Sequence, residues 1–355
     1  MGSEVYFTAI DDGEDPSSIA KKLGMLFSES GAGEWIKKGD FIGVKTHFGE
    51  QSNTTFLHPK IVKTAVDRIR SRGASPFLIE TSTLYRGKRS NAVDHLRLAS
   101  EHGFGIERVG APVIMADGLF GDSEVGVPIE GRHFREAKIG AEVAKAQGLV
   151  VLSHFKGHMI TGFGGAIKNV GMGLASRRGK LKQHSKMSPE IDSAKCTACE
   201  SCIEWCPEDT ISLVEGKARI DKKGCIGCAE CFAVCRFGAV RFDWGRESRA
   251  LQEMMAEYVL GVFNVLRGRL FYFNFLVNIT KDCDCMNAGP KVVKDIGIVA
   301  GSDVVAVEKA SCDIFHQETG KPIQEFTYPQ IDPLVQVEHA SGLGLGSMEY
   351  DLVRV

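Results

Sequence analysis

Eight of the eleven cysteines in this 355-residue chain lie within forty residues, in two copies of one spacing. The two copies consist of Cys196, Cys199, Cys202 and Cys206, and of Cys225, Cys228, Cys231 and Cys235. Each cysteine has its counterpart 29 residues later, and the apolar residues that follow keep the same offset, with Ile211 matching Val240. This region is therefore an internal duplication.

The spacing C-x2-C-x2-C-x3-C is typical of a bacterial-type 4Fe-4S centre, in which the fourth cysteine binds the cluster of the other copy. Three cysteines on one tight loop reach three corners of a cubane, and the fourth corner needs a ligand from elsewhere in the fold. The sequence therefore predicts two 4Fe-4S clusters with crossed ligand sets. The sets are Cys196, Cys199, Cys202 and Cys235 for one cluster, and Cys225, Cys228, Cys231 and Cys206 for the other.

One position departs from this motif. Pro207 follows Cys206 as the motif requires, but Arg236 stands where the second proline is expected. The change removes no ligand, and it places a positive charge that we expect to raise the potential of one cluster. Paired structural zinc sites are the alternative, and they are disfavoured because zinc ribbons use two separated cysteine pairs.

Composition limits the classes of partner. The chain has 43 basic and 45 acidic residues and a net charge of -2, which gives no electrostatic case for binding nucleic acid or an anionic membrane. The N-terminus lacks a secretory pattern, and the longest apolar stretch, Leu270 to Ile279, is too short to cross a bilayer. Cysteines in ligand spacing favour a reducing compartment. We therefore expect a cytoplasmic protein.

Strand-like apolar runs alternate with helical patterns on both sides of the cysteines. This alternation predicts an α/β fold with a mostly parallel sheet and flanking helices, interrupted by an inserted ferredoxin-like α+β module. The predicted units are 1–187 and 244–355 for the two parts of the α/β domain and 188–243 for the module; three domains in series are the alternative. The predicted strands before the module are Val5–Ile10, Phe41–Thr46, Pro76–Thr81, Val113–Ala116 and Leu149–Phe155.

Polar residues follow several of these strands where they end. Ligands of open α/β sheets bind at the carboxyl ends of the strands, so these residues are candidates for a site, although any strand that leaves a core ends in a similar way. The candidates for ligand binding are Lys45, His47 and Thr81, and the candidates for proton transfer are His154, Lys156 and His158.

A glycine-rich segment, 162–173, follows His158. Consecutive amides that lead into a helix favour an anion site, and we expect the segment to hold the anionic group of a flavin or another phosphorylated ligand. The expected contacts are Gly162, Gly164, Gly165, Lys168 and Asn169; tight packing of the glycines is the alternative. The basic run 176–186 that follows is interpreted as a solvated linker, with docking of an acidic partner as the alternative.

Cys283 and Cys285 form a second constellation. Residues two apart in an extended segment point to the same side, so both sulfurs can face one site. Three interpretations are open: ligands of a third metal site or cluster, a redox or nucleophilic thiol, or plain structure.

The chain resembles the iron–sulfur proteins in which the domain of unknown function 362 is fused to a ferredoxin module. The segments that carry the resemblance are 44–50, 80–85, 154–158, 162–169, 282–285, 295–298 and 303–306. Members of that family occur mainly in anaerobic bacteria and archaea. The resemblance implies oxygen-sensitive clusters and assigns no catalytic residue.

Three functions remain open at this stage. The first is an oxidoreductase, or a subunit of one, whose clusters pass electrons to a cofactor or substrate at the strand ends. The second is an electron carrier or adaptor that docks a partner enzyme. The third is a metal-dependent isomerase or hydrolase at Cys283 and Cys285. The expected partners are a redox protein or a small-molecule substrate, and a homodimer is compatible with the sequence.

Overall fold

The structure is a computed structural model that describes residues 2–85, 87–184, 189–226, 231, 234–235, 237–241, 244–285 and 289–355. Its strands, in chain order, are β1 (Ser3–Ala9), β2 (Phe41–Lys45), β3 (Ser75–Glu80), β4 (Val113–Met115), β5 (Glu124–Pro128), β6 (Glu136–Gly140), β7 (Gly148–His154), β8 (Lys156–His158), β9 (Gly162–Gly164), β10 (Glu190–Ile191), β11 (Ile211–Val214), β12 (Lys217–Ile220), β13 (Val240–Arg241), β14 (Leu270–Leu276), β15 (Gly297–Gly301) and β16 (Tyr350–Arg354).

Helices connect most of these strands. They are α1 (Pro16–Glu29), α2 (Pro59–Ser71), α3 (Ala92–Ala99), α4 (Ile106–Val109), α5 (Ala166–Gly171), α6 (Arg177–His184), α7 (Ser201–Glu204), α8 (Trp244–Val265), α9 (Val304–Thr319), α10 (Ile323–Phe326) and α11 (Val335–Gly342). A π-helical turn, Ser100–Phe104, follows α3, and a 3-10 turn covers Val143–Lys145.

Eight strands form one sheet in the order β16-β1-β15-β14-β7-β2-β3-β4. All neighbouring pairs are parallel except the two made by β15, which runs antiparallel to β1 and to β14. The predicted mostly parallel sheet with flanking helices is therefore confirmed. The five strands predicted before the cysteines all exist, with bounds that differ by one or two residues.

Strands from both sides of the cysteine segment lie next to each other in this sheet. Leu152 of β7 pairs with Phe273 of β14, across 121 residues of chain. The segment between them forms its own two-stranded sheets, β10 with β13 and β11 with β12. The expected boundaries near 187 and 243 lie at residues outside the described ranges, so they stay a prediction.

The sheet is buried on both faces because successive side chains of a strand point to opposite sides. In β7, Leu149 and Val151 pack into the core formed with α5, α8 and α9. Val150 and Leu152 pack into the opposite core, which α1 and α2 cover. Both helices of that second layer begin at a proline, as expected for a first helical position.

Two sequence interpretations need correction. The run 176–186, interpreted as a linker, contains the helix Arg177–His184, in which Lys180 and Gln183 are buried. The sequence after the cysteines also predicts a helix at Lys309 to Gln317. That helix begins earlier, at Val304, because the side chain of Asp303 accepts hydrogen bonds from the amides of Val305 and Ala306.

None of the helices in the described parts of the chain combines the length and the apolar character needed to cross a bilayer.

Glu257 joins three elements on the α8 side of the sheet. Its carboxylate is fully buried and accepts hydrogen bonds from the amides of His133 (2.9 Å) and Phe134 (2.8 Å) and contacts His339 Nε2 at 3.2 Å. Burial favours the neutral acid, but the hydrogen bond from His339 and those from the backbone outweigh it and lower the pKa of Glu257.

We expect Glu257→Gln to lower the free energy of unfolding by about 2 kcal/mol, because charge-assisted hydrogen bonds are lost at a buried position. The measurement is urea unfolding at neutral pH, followed by circular dichroism. Since the folded pKa is depressed, the difference from wild type should be complete above the ordinary value of 4.5 and shrink as pH falls below it. Glu338→Gln, at an exposed position on α11, is the control and should have little effect.

Candidate functional site

Two small cavities are lined by the cysteines of the duplicated motif. The first is lined by Cys196, Cys199, Cys202 and Cys235. The second is lined by Cys206, Cys225 and Cys231, and Cys228 lies outside the described residues. Each cavity thus combines cysteines from both copies of the motif, which is the grouping that crossed ligation requires.

The sulfur atoms in these cavities receive hydrogen bonds from the chain. The amide of Ala218 donates to Cys196 Sγ at 3.4 Å, and the amide of Ala239 donates to Cys235 Sγ at 3.3 Å. Such bonds stabilise thiolates and are among the contacts that set cluster potentials. The donor set and its surroundings therefore fit iron–sulfur clusters.

A much larger cavity, of about 620 Å³, lies at the carboxyl ends of β2, β3 and β7. Its volume is within the range of small-molecule sites, roughly 300–1,000 Å³. The residues predicted from the sequence that line it are Lys45, His47, Thr81, His154, Lys156, His158, Gly164, Gly165, Lys168, Asn169, Cys283 and Cys285. Gly162 instead packs against Pro333, and its φ of +75° suits glycine alone.

The cysteine motif contributes to the wall of the large cavity. Ser201, which lies between Cys199 and Cys202, lines both the first cysteine cavity and the large cavity. Trp205, the neighbour of Cys206 in the chain, also lines the large cavity. Within the described residues, the second cysteine cavity shares no lining residue with the large one.

Lys45 is a fully buried cation at the end of β2. Its Nζ lies 3.1 Å from Glu80 and donates to Asn169 Oδ1 at 2.7 Å. Asn169 in turn donates to the carbonyl of Leu152 and the hydroxyl of Ser153 at the end of β7. Burial lowers the pKa of Lys45 although Glu80 opposes the shift.

Lys180 reaches the cavity from α6. Its Nζ donates to Thr81 Oγ1 and to the carbonyl of Ala175, the latter at 2.7 Å. Thr81 Oγ1 donates to the carbonyl of Gly173 at 2.8 Å. Burial lowers the pKa of Lys180 to about 8, so its charge changes near neutral pH.

His154 is engaged at both ring nitrogens. Nδ1 lies 2.9 Å from Asp284 Oδ2, and Nε2 lies 2.9 Å from the carbonyl of Val277. Lys156 Nζ is 3.2 Å from the same carboxylate. Burial favours the neutral acid, but the charges of His154 and Lys156 outweigh it and hold the pKa of Asp284 well below its usual range.

His158 differs from His154 in its hydrogen bonds. Its Nδ1 accepts from the amides of Ile160 and Thr161, both at 3.2 Å. Burial, and then the charge of Lys168, holds the pKa of His158 well below its usual range. The ring is therefore neutral, and its proton is on Nε2.

Cys283 and Cys285 lie in contact on the cavity wall. A hydrogen bond from Cys283 holds the pKa of Cys285 well below the ordinary thiol value, and the charges of Lys168, His47 and Arg89 act in the same direction. Cys285 Sγ is 3.4 Å from His47 Nε2. Arg89 Nε is itself paired with Glu50 at 3.0 Å. Cys285 is therefore a thiolate in a cationic setting.

The glycine-rich segment brings Gly164 and Gly165 to the cavity, but a carboxyl group of the chain already contacts the first turn of α5. The amide of Ile167, in the first turn of α5, donates to Glu308 Oε1 at 2.7 Å, so a carboxyl group of the chain occupies the expected anion position. Glu308 is fully buried, and burial raises its pKa to about 7. The amide of Ile167 is therefore engaged within the protein, and the anion site expected at the other residues of the segment stays a prediction.

The large cavity is strongly cationic. The acidic side chains that line it are Glu50 and Glu80. The cationic side chains that line it are Lys45, Lys88, Arg89, Lys156, Lys168 and Lys180. Among the described lining residues, six cations against two acids favour an anionic ligand.

No group of three His, Cys, Asp or Glu side chains arranged to hold a single metal ion is found in the described parts of the chain.

Sequence reasoning missed several residues of this site. Arg89 and Tyr85 come from the polar loop between β3 and α3, which has no periodicity to mark it. Lys180 lies in a run so polar that its helix has almost no apolar face. Trp205 lies within the cysteine motif, and a tryptophan directly before the motif cysteine Cys206 is a sequence signal that could have identified it.

Parts of the chain are similar to curated proteins. It is 30% identical over 80 residues to the pyruvate synthase subunit PorD of Methanothermobacter marburgensis, covering 22% of this chain and 91% of PorD. It is 39% identical over 67 residues to the indolepyruvate oxidoreductase subunit IorA of Pyrococcus horikoshii, covering 18% of this chain and only 10% of IorA. It is 43% identical over 47 residues to an uncharacterized ferredoxin of Methanocaldococcus jannaschii, covering 13% of this chain and 31% of the ferredoxin.

Among solved structures, the lactate racemase apoprotein from Thermoanaerobacterium thermosaccharolyticum is similar with a TM-score of 0.43 and 10% identity, over 84% of this chain and 54% of the racemase. That likeness does not carry over the racemase's activity. A model of the family described as "Domain of unknown function (DUF362)" matches residues 42–313, which is most of the chain. The chain therefore belongs to this family of proteins with a domain of unknown function.

Proposed function

We propose that this chain is an iron–sulfur redox protein that passes electrons through two 4Fe-4S clusters to an anionic small molecule in the large cavity. The observation that carries the proposal is the shared wall of that cavity. Ser201 and Trp205 of the cysteine motif line it together with the strand-end residues Lys45 and Thr81. A molecule bound there is within reach of an electron that leaves the cysteine motif.

Several observations support the two clusters. The cysteines group in crossed sets around two cavities, and amides donate to their sulfurs. A ferredoxin and a pyruvate synthase subunit are among the relatives. When bound, the clusters supply one-electron transfer. We place them in a ferredoxin-like module, 188–243, inserted in one α/β domain, and the adjacent β7 and β14 support that arrangement.

The cavities also suggest an order for the two clusters. The set Cys196, Cys199, Cys202 and Cys235 shares Ser201 with the large cavity and is placed next to the bound molecule. The set Cys206, Cys225, Cys228 and Cys231 is placed farther away and receives electrons from a redox partner. Ser201, which lines both cavities, then forms the step between the first set and the large cavity.

The remaining residues of the cavity bind the molecule through charge and hydrogen bonds. The six cations of the cavity hold its negative charge, and Lys45, Lys168 and Lys180 come from three different elements around it. His158 is proposed to donate a hydrogen bond from Nε2–H to the bound molecule, because its Nδ1 accepts from two amides. His154, with both nitrogens engaged, positions Asp284 and through it Lys156.

An electron carrier that only docks a partner enzyme is the second candidate. Such a carrier would leave the strand-end region shallow or fill it with its own side chains. A cavity of about 620 Å³ lined by buried ionisable groups favours a bound molecule instead.

We expect the anaerobically purified protein to contain about eight irons. Cys199→Ser and Cys235→Ser should each remove the same cluster signal in electron paramagnetic resonance, although the two residues belong to different copies of the motif. Cys206→Ser and Cys225→Ser should each remove the other signal. Cys312→Ser, outside the motif, is the control. Loss of one signal by Cys199→Ser and of the other by Cys235→Ser would refute crossed ligation, and zinc in place of iron would refute the redox role.

Anion binding should depend on Lys180. With pyrophosphate as the probe, the affinity measured by calorimetry should fall as pH rises through about 8, because Lys180 loses its charge there. Lys180→Met should weaken binding about tenfold at pH 7 and flatten that pH dependence. Lys145→Gln, an exposed lysine outside the cavity, is the control.

The same titration tests the order of the clusters. Pyrophosphate should shift the resonance of the cluster held by Cys196, Cys199, Cys202 and Cys235 more than that of the other cluster. If no anion binds and neither resonance responds, the carrier function replaces the one proposed here.

A further inference from the structure

We infer that Cys283 and Cys285 form a thiol–disulfide couple that takes two electrons from the clusters and passes them to a negatively charged low-molecular-weight disulfide in the large cavity. This inference rests on the proposed function, because the clusters supply its electrons. It adds a reaction type, a pair of catalytic residues and a substrate class.

The local backbone directs the two sulfurs to the cavity. The segment 282–285 follows β14 and is fixed by a hydrogen bond from the amide of Glu50 to the carbonyl of Asp284 at 3.0 Å. Cys283 and Cys285 both line the cavity, whereas the carboxylate of Asp284 between them is turned to His154 and Lys156. The two cysteines thus share a side of the segment, although Asp284 and Cys285 lie in a turn and not in a strand.

The two sulfurs are unequal partners. Cys285 Sγ lies 3.4 Å from His47 Nε2 and accepts a hydrogen bond from the thiol of Cys283. Cys283 is buried, with 6% of its surface exposed, and Cys285 is more exposed. This arrangement suits a dithiol couple, in which an accessible thiolate attacks and a second, shielded thiol resolves the mixed disulfide.

The reaction balances with groups already named. The Cys285 thiolate attacks one sulfur of the bound disulfide, so a mixed disulfide forms and the first thiolate leaves. Cys283 gives its proton to that thiolate and attacks Cys285, so the Cys283–Cys285 disulfide forms and the second thiolate leaves. Two electrons from the clusters and one proton then restore the thiolate of Cys285 and the thiol of Cys283.

The electron count agrees with the proposed cofactors. Reducing a disulfide takes two electrons. Two clusters that each carry one electron supply both, so the redox partner does not have to bind a second time. The proton that restores the Cys283 thiol comes from solvent, and His158, on the same cavity wall, offers a hydrogen bond from Nε2–H. The charge of the cavity, six cations against two acids, selects a disulfide that carries carboxylate or phosphate groups.

The test uses the anaerobic holoprotein with its clusters reduced by dithionite. Oxidised glutathione, which is anionic, is compared with cystamine, which is a cationic disulfide. We expect glutathione to reoxidise the reduced clusters, seen as the return of their visible absorption, at least about tenfold faster than cystamine, since charge steering affects rates by this factor or more. Cys283→Ser and Cys285→Ser should both abolish the reaction and keep the iron content, and Cys312→Ser should leave the rate unchanged.

A second measurement uses the wild-type protein, so it does not require any variant to fold. Wild-type protein is oxidised with one equivalent of diamide, and peptide mass mapping should find Cys283 joined to Cys285; reduced clusters should then remove that disulfide. A Cys285→Ser variant that still reacts, or a metal ion bound by the pair beyond the cluster iron, overturns the inference. If the clusters themselves are absent, the proposed function is wrong. If the clusters are intact but Cys283 and Cys285 do not react, only this inference is wrong.

Discussion

The parallel pairing of β7 with β14 is the contact on which the rest of the site depends. Their backbone hydrogen bonds join Leu149–His154 to Leu270–Phe275 across 121 residues of chain. This pairing sets His154 beside the segment 282–285, and it holds the two ends of the cysteine segment within one sheet. Without it, the strand ends on one side and the cysteine pair on the other would not line one cavity.

Charge balance is the second constraint on the cavity. Burying an ammonium or guanidinium group is costly unless an opposite charge or hydrogen bonds compensate it. Lys45 is compensated by Glu80 and Asn169, and Arg89 by Glu50. The cavity still holds an excess of positive charge, and a thiolate at Cys285 offsets part of it. In the proposed function, a bound anion completes this compensation.

The fold could largely be predicted from the sequence, and the site only in part. Strong patterns, such as the proline-initiated helix at Pro59 and the apolar run of β7, depend on local chemistry and were predicted well. The strand ends were also found, because carboxyl ends of parallel strands share one edge of the sheet. The burial of Lys180 and the occupation of the α5 end by Glu308 depend on contacts between distant segments, which no local pattern records.

Electron arrival gives the cationic cavity a further physical role. Each electron that reaches a buried site adds a negative charge, and in a poorly solvated cavity that charge must be offset by a proton or by a nearby cation. In the proposed function, Lys168 and Arg89 lie close enough to Cys285 to offset that charge, and His158 offers a hydrogen bond from Nε2–H. The same side chains that attract an anion therefore also lower the cost of reducing it, so binding and electron transfer draw on one set of charges.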